Sequence, residues 1–388
     1  MGRRYQVISG DGHVETPPDY WLPYVPERYR DRAPRLVKTP DGGDGWLVEG
    51  QPLLSNGANI TGRGPVRLAG ASFSKADGSP SEGTGSAVQR LREQDEDGID
   101  AEVLFPPVYV SHFIESIRDG DIYRSIVRAY NTFLGKDYCS VAPDRLIGNA
   151  TLPVTGVDDA IDELEFAAQS GLPAVCLHQF PNGSGFPADE DDRFWSRSLE
   201  LNVRLCPHFG FGERHAQLKG LAAGDSLGLQ FASVLSLRAE SLVPVFCIAQ
   251  LIVSGVFDRF PDLRFYFAET NASWLPFALF ILDDNYEIYR HCFGVSLDQK
   301  PSEYVRKHCH FGIVRDPLAI ELHEKLPIDN IMFGTDFPHS VGTFPGTPKF
   351  LDSAFGQINS EIRRKFTLTN VARFFGLDLR ANITPTPP

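Results

Sequence analysis

Residues 331–339 read IMFGTDFPH, a short apolar run that ends at the acid Asp336. A carboxylate that follows a buried strand costs free energy unless it is paired or bound to a cation. We therefore interpret residues 331–336 as a buried strand that delivers Asp336 to a functional site. This stretch also sets the pattern by which the rest of the chain can be divided.

Short apolar runs that open onto polar, Gly or Pro residues recur along the whole chain. Amphipathic stretches separate them, among them 88–97, 122–141 and 157–170, and this alternation is typical of parallel strands with helical crossovers. The predicted strands are 5–9, 101–105, 146–150, 174–178, 204–208, 263–269, 309–313 and 331–336. Eight such units predict an α/β fold, a distorted (β/α)8 barrel of the TIM type with loop insertions.

One domain, 1–378, accounts for the chain, because 388 residues with 42% hydrophobic content fit a single barrel core. Two segments, about 40–85 and 212–243, interrupt the alternation. Insertions after barrel strands gather at the C-terminal face, so we expect these two to form a lid or pocket wall. The tail 379–388, which ends in ITPTPP, is expected to be disordered.

The net charge and composition of the chain limit the classes of molecule that it can bind. A formal charge of −13 and a pI near 5.2 argue against nucleic acid or an anionic membrane as a partner and favour a small-molecule substrate. Six widely spaced cysteines without a CxxC pair, no secretory h-region and no apolar span of about 20 residues predict a cytoplasmic protein. Because the segment around 275–281 is apolar, we expect that the protein can form a homodimer.

Polar residues gather at the C-terminal ends of the predicted strands, where barrel enzymes place their catalytic groups. In Asp11-Gly-His13, alternate residues of an extended segment point the same way, so a carboxylate and an imidazole can meet one ion. A turn with an incidental histidine is the structural alternative. His208 closes the fifth strand, and alone it could equally be a histidine of the core.

Four further residues have weaker support. Glu269 closes the sixth strand and is predicted to bind metal or transfer protons, with a salt bridge at the barrel rim as the alternative. His178 could contact substrate or cap its strand, and His339 could be a ligand, a proton shuttle or a fixed loop residue. Glu15 alternates with His13 but precedes the turn Thr16-Pro-Pro, so we rank it lower, as a solvated acid.

Three motifs resemble the amidohydrolase superfamily, in the branch that contains aminocarboxymuconate-semialdehyde decarboxylase: DGHVETPPDYW (11–21), FPDLRFYFAETNASWLP (260–276) and IMFGTDFPH (331–339). The resemblance spans nearly the whole chain. It implies a distorted (β/α)8 barrel and a divalent metal held by four residues: Asp11, His13, His208 and Asp336.

The chain departs from the decarboxylase pattern at two positions. Asp11 replaces the first histidine of His-x-His, and Glu269 replaces the usual catalytic histidine. The variant is similar to a subgroup whose members include dinuclear iron or iron/manganese monooxygenases. In such a site Glu269 or His339 would complete a second metal centre.

Two functions remain open on the sequence alone. The first is a metal-dependent enzyme, with zinc favoured, that hydrolyses or non-oxidatively decarboxylates a small organic molecule by means of Asp336, Glu269 and His178. The second is a dinuclear monooxygenase on the same barrel, with iron or manganese. A third interpretation is a catalytically inactive protein, a pseudoenzyme or partner subunit with the same fold. The carboxylates and histidines retained at the strand ends argue against it.

Overall fold

The computed structural model describes residues 3–55, 60, 70–208, 211 and 244–388. Its main sheet contains eight parallel strands: β1 (Ile8–His13), β5 (Ala101–Phe105), β6 (Leu146–Thr151), β7 (Ala174–Leu177), β8 (Arg204–Pro207), β9 (Phe265–Phe267), β10 (Cys309–Ile313) and β11 (Ile331–Phe333). A second, antiparallel sheet contains β2 (Arg35–Lys38), β3 (Asp44–Leu47) and β4 (Leu54–Ser55).

The eight strands are hydrogen-bonded in the order in which they follow one another along the chain. The gap between β11 and β1 is bridged by backbone hydrogen bonds just beyond β11. The amide of His13 donates to the carbonyl of Phe337 at 2.8 Å, and the amide of Asp336 donates to the carbonyl of Asp11 at 2.9 Å. The sheet is therefore a nearly closed barrel, and the predicted (β/α)8 fold is confirmed.

Helices surround the barrel, and the α-helices of the described chain are α1 (Ala87–Glu96), α2 (Val108–Ser111), α3 (Gly120–Phe133), α4 (Val157–Gln169), α5 (Asp192–Leu201), α6 (Pro244–Val253), α7 (Val256–Arg259), α8 (Leu275–Phe293), α9 (Pro301–His308), α10 (Pro317–Glu321), α11 (Thr347–Phe355), α12 (Ser360–Arg364) and α13 (Asn370–Phe375). The helix predicted for 122–141 begins earlier, where Asp119 caps two backbone amides. Its α-helical part ends at Phe133, and a π-helical turn, Leu134–Tyr138, follows.

The strands are buried on both faces, which explains why they read as continuous apolar runs. Side chains such as Val103, Ile147 and Met332 fill the barrel interior, and Phe374 and Phe375 of α13 pack against the same cluster. The tyrosine ring of Tyr266, inside the barrel, lies 5.8 Å from the ring of Phe374. The C-terminal helix therefore packs against the N-terminal end of the barrel.

Strands β3 and β4 of the small sheet lie in the first predicted insertion, whereas β2 precedes it, and the sheet docks beside the C-terminal end of β5. Trp46 of β3 is buried and stacks on Tyr109 of α2 with ring centroids 3.4 Å apart. The hydroxyl of Tyr109 donates to the carbonyl of Thr16 at 2.6 Å, which ties α2 to the segment after β1. The second predicted insertion, 212–243, lies outside the described residues.

The C-terminal tail differs from the expected disorder. Ile383 is buried, and its amide donates to the carbonyl of Arg3 at 3.0 Å. The amide of Thr384 donates to Asp144 at 2.7 Å, and Arg145 donates to the hydroxyl of Thr386 at 2.9 Å. Composition alone predicted disorder because it does not reveal these partners, which are far away in sequence. Within the described ranges, no helix has the length and apolar character needed to cross a membrane.

Candidate metal centre at the C-terminal mouth of the barrel

Asp11 and His13 lie inside β1, which starts and ends later than the sequence predicted. The register of β1 with β5 shifts between Ser9 and Gly12. As expected from their alternation, the two side chains come together: Nε2 of His13 lies 3.8 Å from Oδ1 of Asp11. Gly12 between them has no room for a Cβ, because the carboxylate of Glu102 occupies that space.

Asp336 and Glu269 follow β11 and β9, and both have a left-handed backbone, with φ of 52° and 55°. Such φ values are uncommon for residues other than glycine, and they persist where surrounding contacts enforce them, often at functional sites. Oδ1 of Asp336 lies 3.3 Å from Nε2 of His13 and 3.2 Å from Nδ1 of His339. The turn after β11 therefore aims Asp336 at the histidines.

His208, directly after β8, completes the cluster from the opposite side. Its Nε2 lies 3.5 Å from Oδ1 of Asp11 and 3.7 Å from Oε2 of Glu269. The possible ligand atoms of Asp11, His13 and His208 all lie within 4.8 Å of one another, and so do those of a second set, His13, Glu269, Asp336 and His339. The structure thus brings together every residue that the sequence suggested as a metal ligand.

Burial makes this cluster unfavourable without a cation. Asp11 and Asp336 are fully buried, and among the described residues neither pair of carboxylate oxygens has a hydrogen-bond partner of good geometry. Nδ1 of His13 lies 3.1 Å from the carbonyl of Pro106, so Nδ1 carries the proton and Nε2 faces the acids with its lone pair. Buried carboxylates beside a neutral imidazole are a donor set that fits a divalent metal.

The pKa values show the same charge conflict. Burial, with a smaller contribution from Asp336, raises the pKa of Asp11 to about 8, and burial lowers the pKa of His208 to about 3. Burial also acts to raise the pKa of Asp336, but His339 and His13 outweigh it and the pKa is lowered. Burial acts against protonation of His339, yet Asp336 and Glu15 raise its pKa well above the usual value. Protons on Asp11 and His339 thus supply charge balance that a metal can replace.

Glu15 is buried and engages this cluster, so its ranking as a solvated acid was wrong. Its Oε1 lies 3.1 Å from Nε2 of His339, whose Nδ1 faces Asp336. A carboxylate on the far nitrogen of a histidine fixes the orientation of the ring and increases its basicity as a ligand. The signal was present in the sequence, because Asp11, His13 and Glu15 alternate.

His178 lies in a separate group of polar side chains. Its Nε2 lies 3.2 Å from Sγ of Cys176, its Nδ1 lies 4.0 Å from Oε1 of Glu115, and its ring centroid lies 4.7 Å from that of His112. It belongs to neither set of converging ligand atoms. His112 and Glu115 could not be recognised from the sequence, because they follow α2 rather than a strand.

A buried ion pair supports the cluster from behind. Nε of Arg90 donates to Glu102 at 2.8 Å, and both side chains are about 1% exposed. The remaining nitrogens of Arg90 donate to the carbonyl of His13 at 3.0 Å and to that of Phe337 at 2.9 Å. Arg90 therefore joins β1 to the turn that carries Asp336. No short motif in the sequence predicted this pair.

Residues 83–377 match the family model described as Amidohydrolase. The chain belongs to the amidohydrolase family. Strands β5 to β11 of this amidohydrolase, and the turn after β11 that carries Asp336 and His339, all fall within the matched range. The resemblance inferred from the three motifs is therefore confirmed.

Relatives of this amidohydrolase include decarboxylases. Over 292 residues it is 22% identical to 2-amino-3-carboxymuconate-6-semialdehyde decarboxylase of Dictyostelium discoideum, which covers 74% of this chain and 76% of that protein. An amidohydrolase of Mycobacterium avium subsp. paratuberculosis superposes with a TM-score of 0.68 at 17% identity, over 97% of this chain and 99% of that chain.

A 5-carboxyvanillate decarboxylase of Novosphingobium aromaticivorans superposes with a TM-score of 0.65 at 16% identity, over 96% of each chain. Its crystal structure is a complex with manganese and 4-hydroxy-3-methoxy-5-nitrobenzoic acid. At this level of identity the likeness establishes a shared fold. The chain is thus an enzyme-family barrel with a buried cluster of metal-type ligands at its C-terminal mouth.

Proposed function

We propose that this amidohydrolase catalyses the metal-dependent, non-oxidative decarboxylation of a small aromatic carboxylic acid. One observation carries the proposal: Asp11, His13, His208 and Asp336 converge, buried, at the end of the barrel where such enzymes bind substrate. The names of the relatives, decarboxylases of carboxylated small molecules, favour loss of CO2 over hydrolysis.

Two carboxylates and two imidazoles would hold the metal: Asp11, Asp336, His13 and His208. When bound, a divalent cation supplies Lewis acidity, which orients the substrate and stabilises the negative charge that develops as CO2 leaves. Oxygen and nitrogen donors without a thiolate suit zinc, manganese and iron alike. The sequence favoured zinc, whereas the decarboxylase from Novosphingobium aromaticivorans was crystallised with manganese, so metal analysis is part of the test.

Glu269 is the proton donor in this proposal. Its side chain is 18% exposed, compared with complete burial of Asp11 and Asp336, so it lies closest to the open side of the cluster. In its protonated form it would deliver a proton from its carboxyl to the ring carbon as the bond from that carbon to the carboxylate breaks. The products are CO2 and the substrate with hydrogen in place of the carboxylate, and Glu269 is left ionised until water reprotonates it.

His178, His112 and Glu115 would contact the substrate beside the metal. Their mutual distances, 4.7 Å between the two rings and 4.0 Å from His178 to Glu115, form a polar group that can orient a hydroxyl or carboxylate substituent. His178 is only 3% exposed, so a substituent that reaches it would be largely dehydrated. In this arrangement the three residues determine which acid binds rather than how the bond breaks.

Deuterium labelling tests the reaction. The metal-loaded enzyme is incubated in D2O with a panel of hydroxylated benzoic acids that includes 5-carboxyvanillate, and CO2 release and the position of the deuterium are measured. We expect deuterium at the carbon that carried the carboxylate, and loss of turnover in Asp336→Asn. The exposed pair Asp352–Arg363 provides the control, because Asp352→Asn should leave turnover unchanged. If the enzyme releases no CO2 and instead cleaves amides or esters, it is a hydrolase and the proposed decarboxylation is refuted.

A dinuclear monooxygenase is the second candidate, favoured by the second ligand set of Glu269, Asp336, His339 and His13. Only Nε2 of His13 is available to a metal, so the second ion would rely on Glu269, Asp336 and His339. Elemental analysis of the protein purified without added metal distinguishes the two functions. About one ion per chain supports decarboxylation, and two iron or manganese ions per chain, with oxygen consumption, support the monooxygenase.

A second copy of the chain is the proposed partner besides the substrate. Three large apolar side chains in the described part of α8 are more than half exposed: Phe277 at 67%, Phe280 at 63% and Ile288 at 56%. Exposed apolar groups of this size on one helix favour a protein contact. Light scattering on the wild type and on the double variant Phe277→Ser/Phe280→Ser should give a dimer and a monomer, and a monomeric wild type would refute this part of the proposal.

A further inference from the structure

A cavity of about 490 Å³ opens at the N-terminal mouth of the barrel, the end opposite the metal-type ligands. Its walls come from the starts of three strands and from α13. Arg204 is the first residue of β8, Arg264 immediately precedes β9, and His310 is the second residue of β10. Because strands carry the metal-type ligands at their other ends, this cavity is separate from the candidate metal centre.

Four cationic side chains line the cavity: Arg204, Arg264, Lys307 and Arg373. Within the described part of the chain, their polar contacts are made to main-chain carbonyls or neutral groups. Nε of Arg204 donates to the carbonyl of Phe374 at 2.5 Å, and Nη1 of Arg264 donates to the carbonyl of Leu263 at 2.8 Å. These bonds fix the guanidinium groups in place without neutralising them.

Two acids also line the cavity and leave the balance positive. Asp329 is engaged by Lys365 at 2.8 Å, outside the wall, and Asp262 is exposed. Burial lowers the pKa of both Arg204 and Arg264, which is the direction expected for cations that are partly dehydrated and insufficiently paired. Four cations and two acids thus form a locally positive surface on a chain whose net charge is −13.

His310 supplies the second, independent observation. Its side chain is more than nine-tenths buried, and Nδ1 has no hydrogen-bond partner among the described residues. Burial lowers the pKa of His310 to about 3, so the ring is neutral at pH 7 and can donate one hydrogen bond. A buried polar atom that lacks a partner is costly, so the wall of the cavity at His310 contains a polar group that is not satisfied.

We propose that this cavity, which we name the N-terminal anion pocket, binds a small oxyanion with two or more negative charges. Arginine guanidinium groups bind phosphate and carboxylate oxygens through paired, charge-assisted hydrogen bonds. The volume accommodates a group larger than a single phosphate, such as a diphosphate or a tricarboxylate. Binding at this pocket is independent of the reaction at the opposite mouth.

Calorimetric titration of the metal-loaded enzyme with pyrophosphate and, separately, with citrate tests the proposal. We expect saturable binding of at least one of them with one ion per chain, and the stronger of the two identifies the phosphate or the carboxylate class. Arg264→Gln and Arg373→Gln should each weaken binding by at least about tenfold, which corresponds to about 1.4 kcal/mol, because each removes a charge-assisted hydrogen bond to the anion. Arg306→Gln is the matched control, because Arg306 is exposed on α9 beside Lys307 but does not line the cavity.

Folding and the metal centre are controlled separately. Thermal midpoints without anion identify a variant that fails to fold, and Lys307→Gln, an exposed position, then replaces it with the same expected weakening. Absence of saturable binding at millimolar anion overturns the proposal. It is also overturned if binding survives Arg264→Gln and Arg373→Gln but disappears in Asp336→Asn, which would place the anion on the metal, or if Arg306→Gln weakens binding equally.

Discussion

Removal of Arg90 tests whether the buried ion pair holds the candidate metal centre together. In Arg90→Met the side chain keeps its bulk but loses its bonds to Glu102 and to the carbonyls of His13 and Phe337. Glu102 then remains as a buried charge with Gln94 and Thr335 as its neutral partners. Breaking a buried pair in this way costs about 3–5 kcal/mol, a large part of the roughly 5–15 kcal/mol that stabilises a typical domain.

Urea denaturation of the metal-loaded and chelated forms measures this effect, with transition midpoints and slopes compared between variants. Arg193→Met is the matched control: its pair with Asp158 is mostly exposed and should contribute less than about 1 kcal/mol. The double variant Arg90→Met/Glu102→Gln should be more stable than Arg90→Met alone, because it removes the uncompensated charge. A loss below about 1 kcal/mol in Arg90→Met, or no recovery in the double variant, would contradict this account.

Three other changes probe the site itself. Gly12→Ala places a methyl group against Glu102 and should lower the free energy of unfolding by about 1–3 kcal/mol in thermal melts. Gly120→Ala, at the start of α3, is the control and should leave it unchanged. Glu15→Gln preserves the fold but should weaken metal binding about tenfold in chelator competition, and an unchanged affinity would remove Glu15 from the site. Burial raises the pKa of Asp11 from 3.8 to about 8, so the folded metal-free protein prefers its protonated form. The contribution of Asp11 to the free energy of unfolding is therefore fully present below about pH 4 and is lost as the pH rises towards 8. The thermal midpoint of the metal-free wild type should follow this trend, and Asp11→Asn should abolish it.

The barrel could be predicted from the sequence because its strands are buried on both faces and therefore read as continuous apolar runs. The predicted strand 309–313 matches β10 in full, and 331–336 contains β11. Boundaries were less accurate where polar residues lie inside a strand. Strand β1 runs to His13 because His13 is paired with β5, and because Asp11 and His13 both bond to the turn after β11; no local pattern reveals such pairing.

Ligand candidates could be predicted for the same reason, since strand ends fix where side chains emerge. The supporting residues could not, because their partners are distant in sequence. Glu15 contacts His339 across 324 positions, and Arg90 contacts the carbonyl of Phe337 across 247. Each of these residues looks like an ordinary surface charge until the barrel closes, and burial then makes the pairing necessary.

The charge of the closed site connects the two candidate functions to one residue, Glu269. Asp11, Asp336, Glu269 and Glu15 carry four negative charges when ionised, and a single divalent cation cancels two of them. The protonated His339 favoured in this structure cancels a third. If His339 keeps its proton beside one metal, one of the four carboxylates must still hold a proton for the centre to be neutral, and a proton on Glu269 is the state required of a proton donor. A second divalent cation would balance all four carboxylates and leave Glu269 ionised as a ligand.

Replacing Glu269 with Gln mimics the protonated form of this side chain. In the mononuclear case Glu269→Gln should retain one metal and abolish decarboxylation. In the dinuclear case it should release the second metal. Loss of all metal from Glu269→Gln would contradict both assignments of this residue.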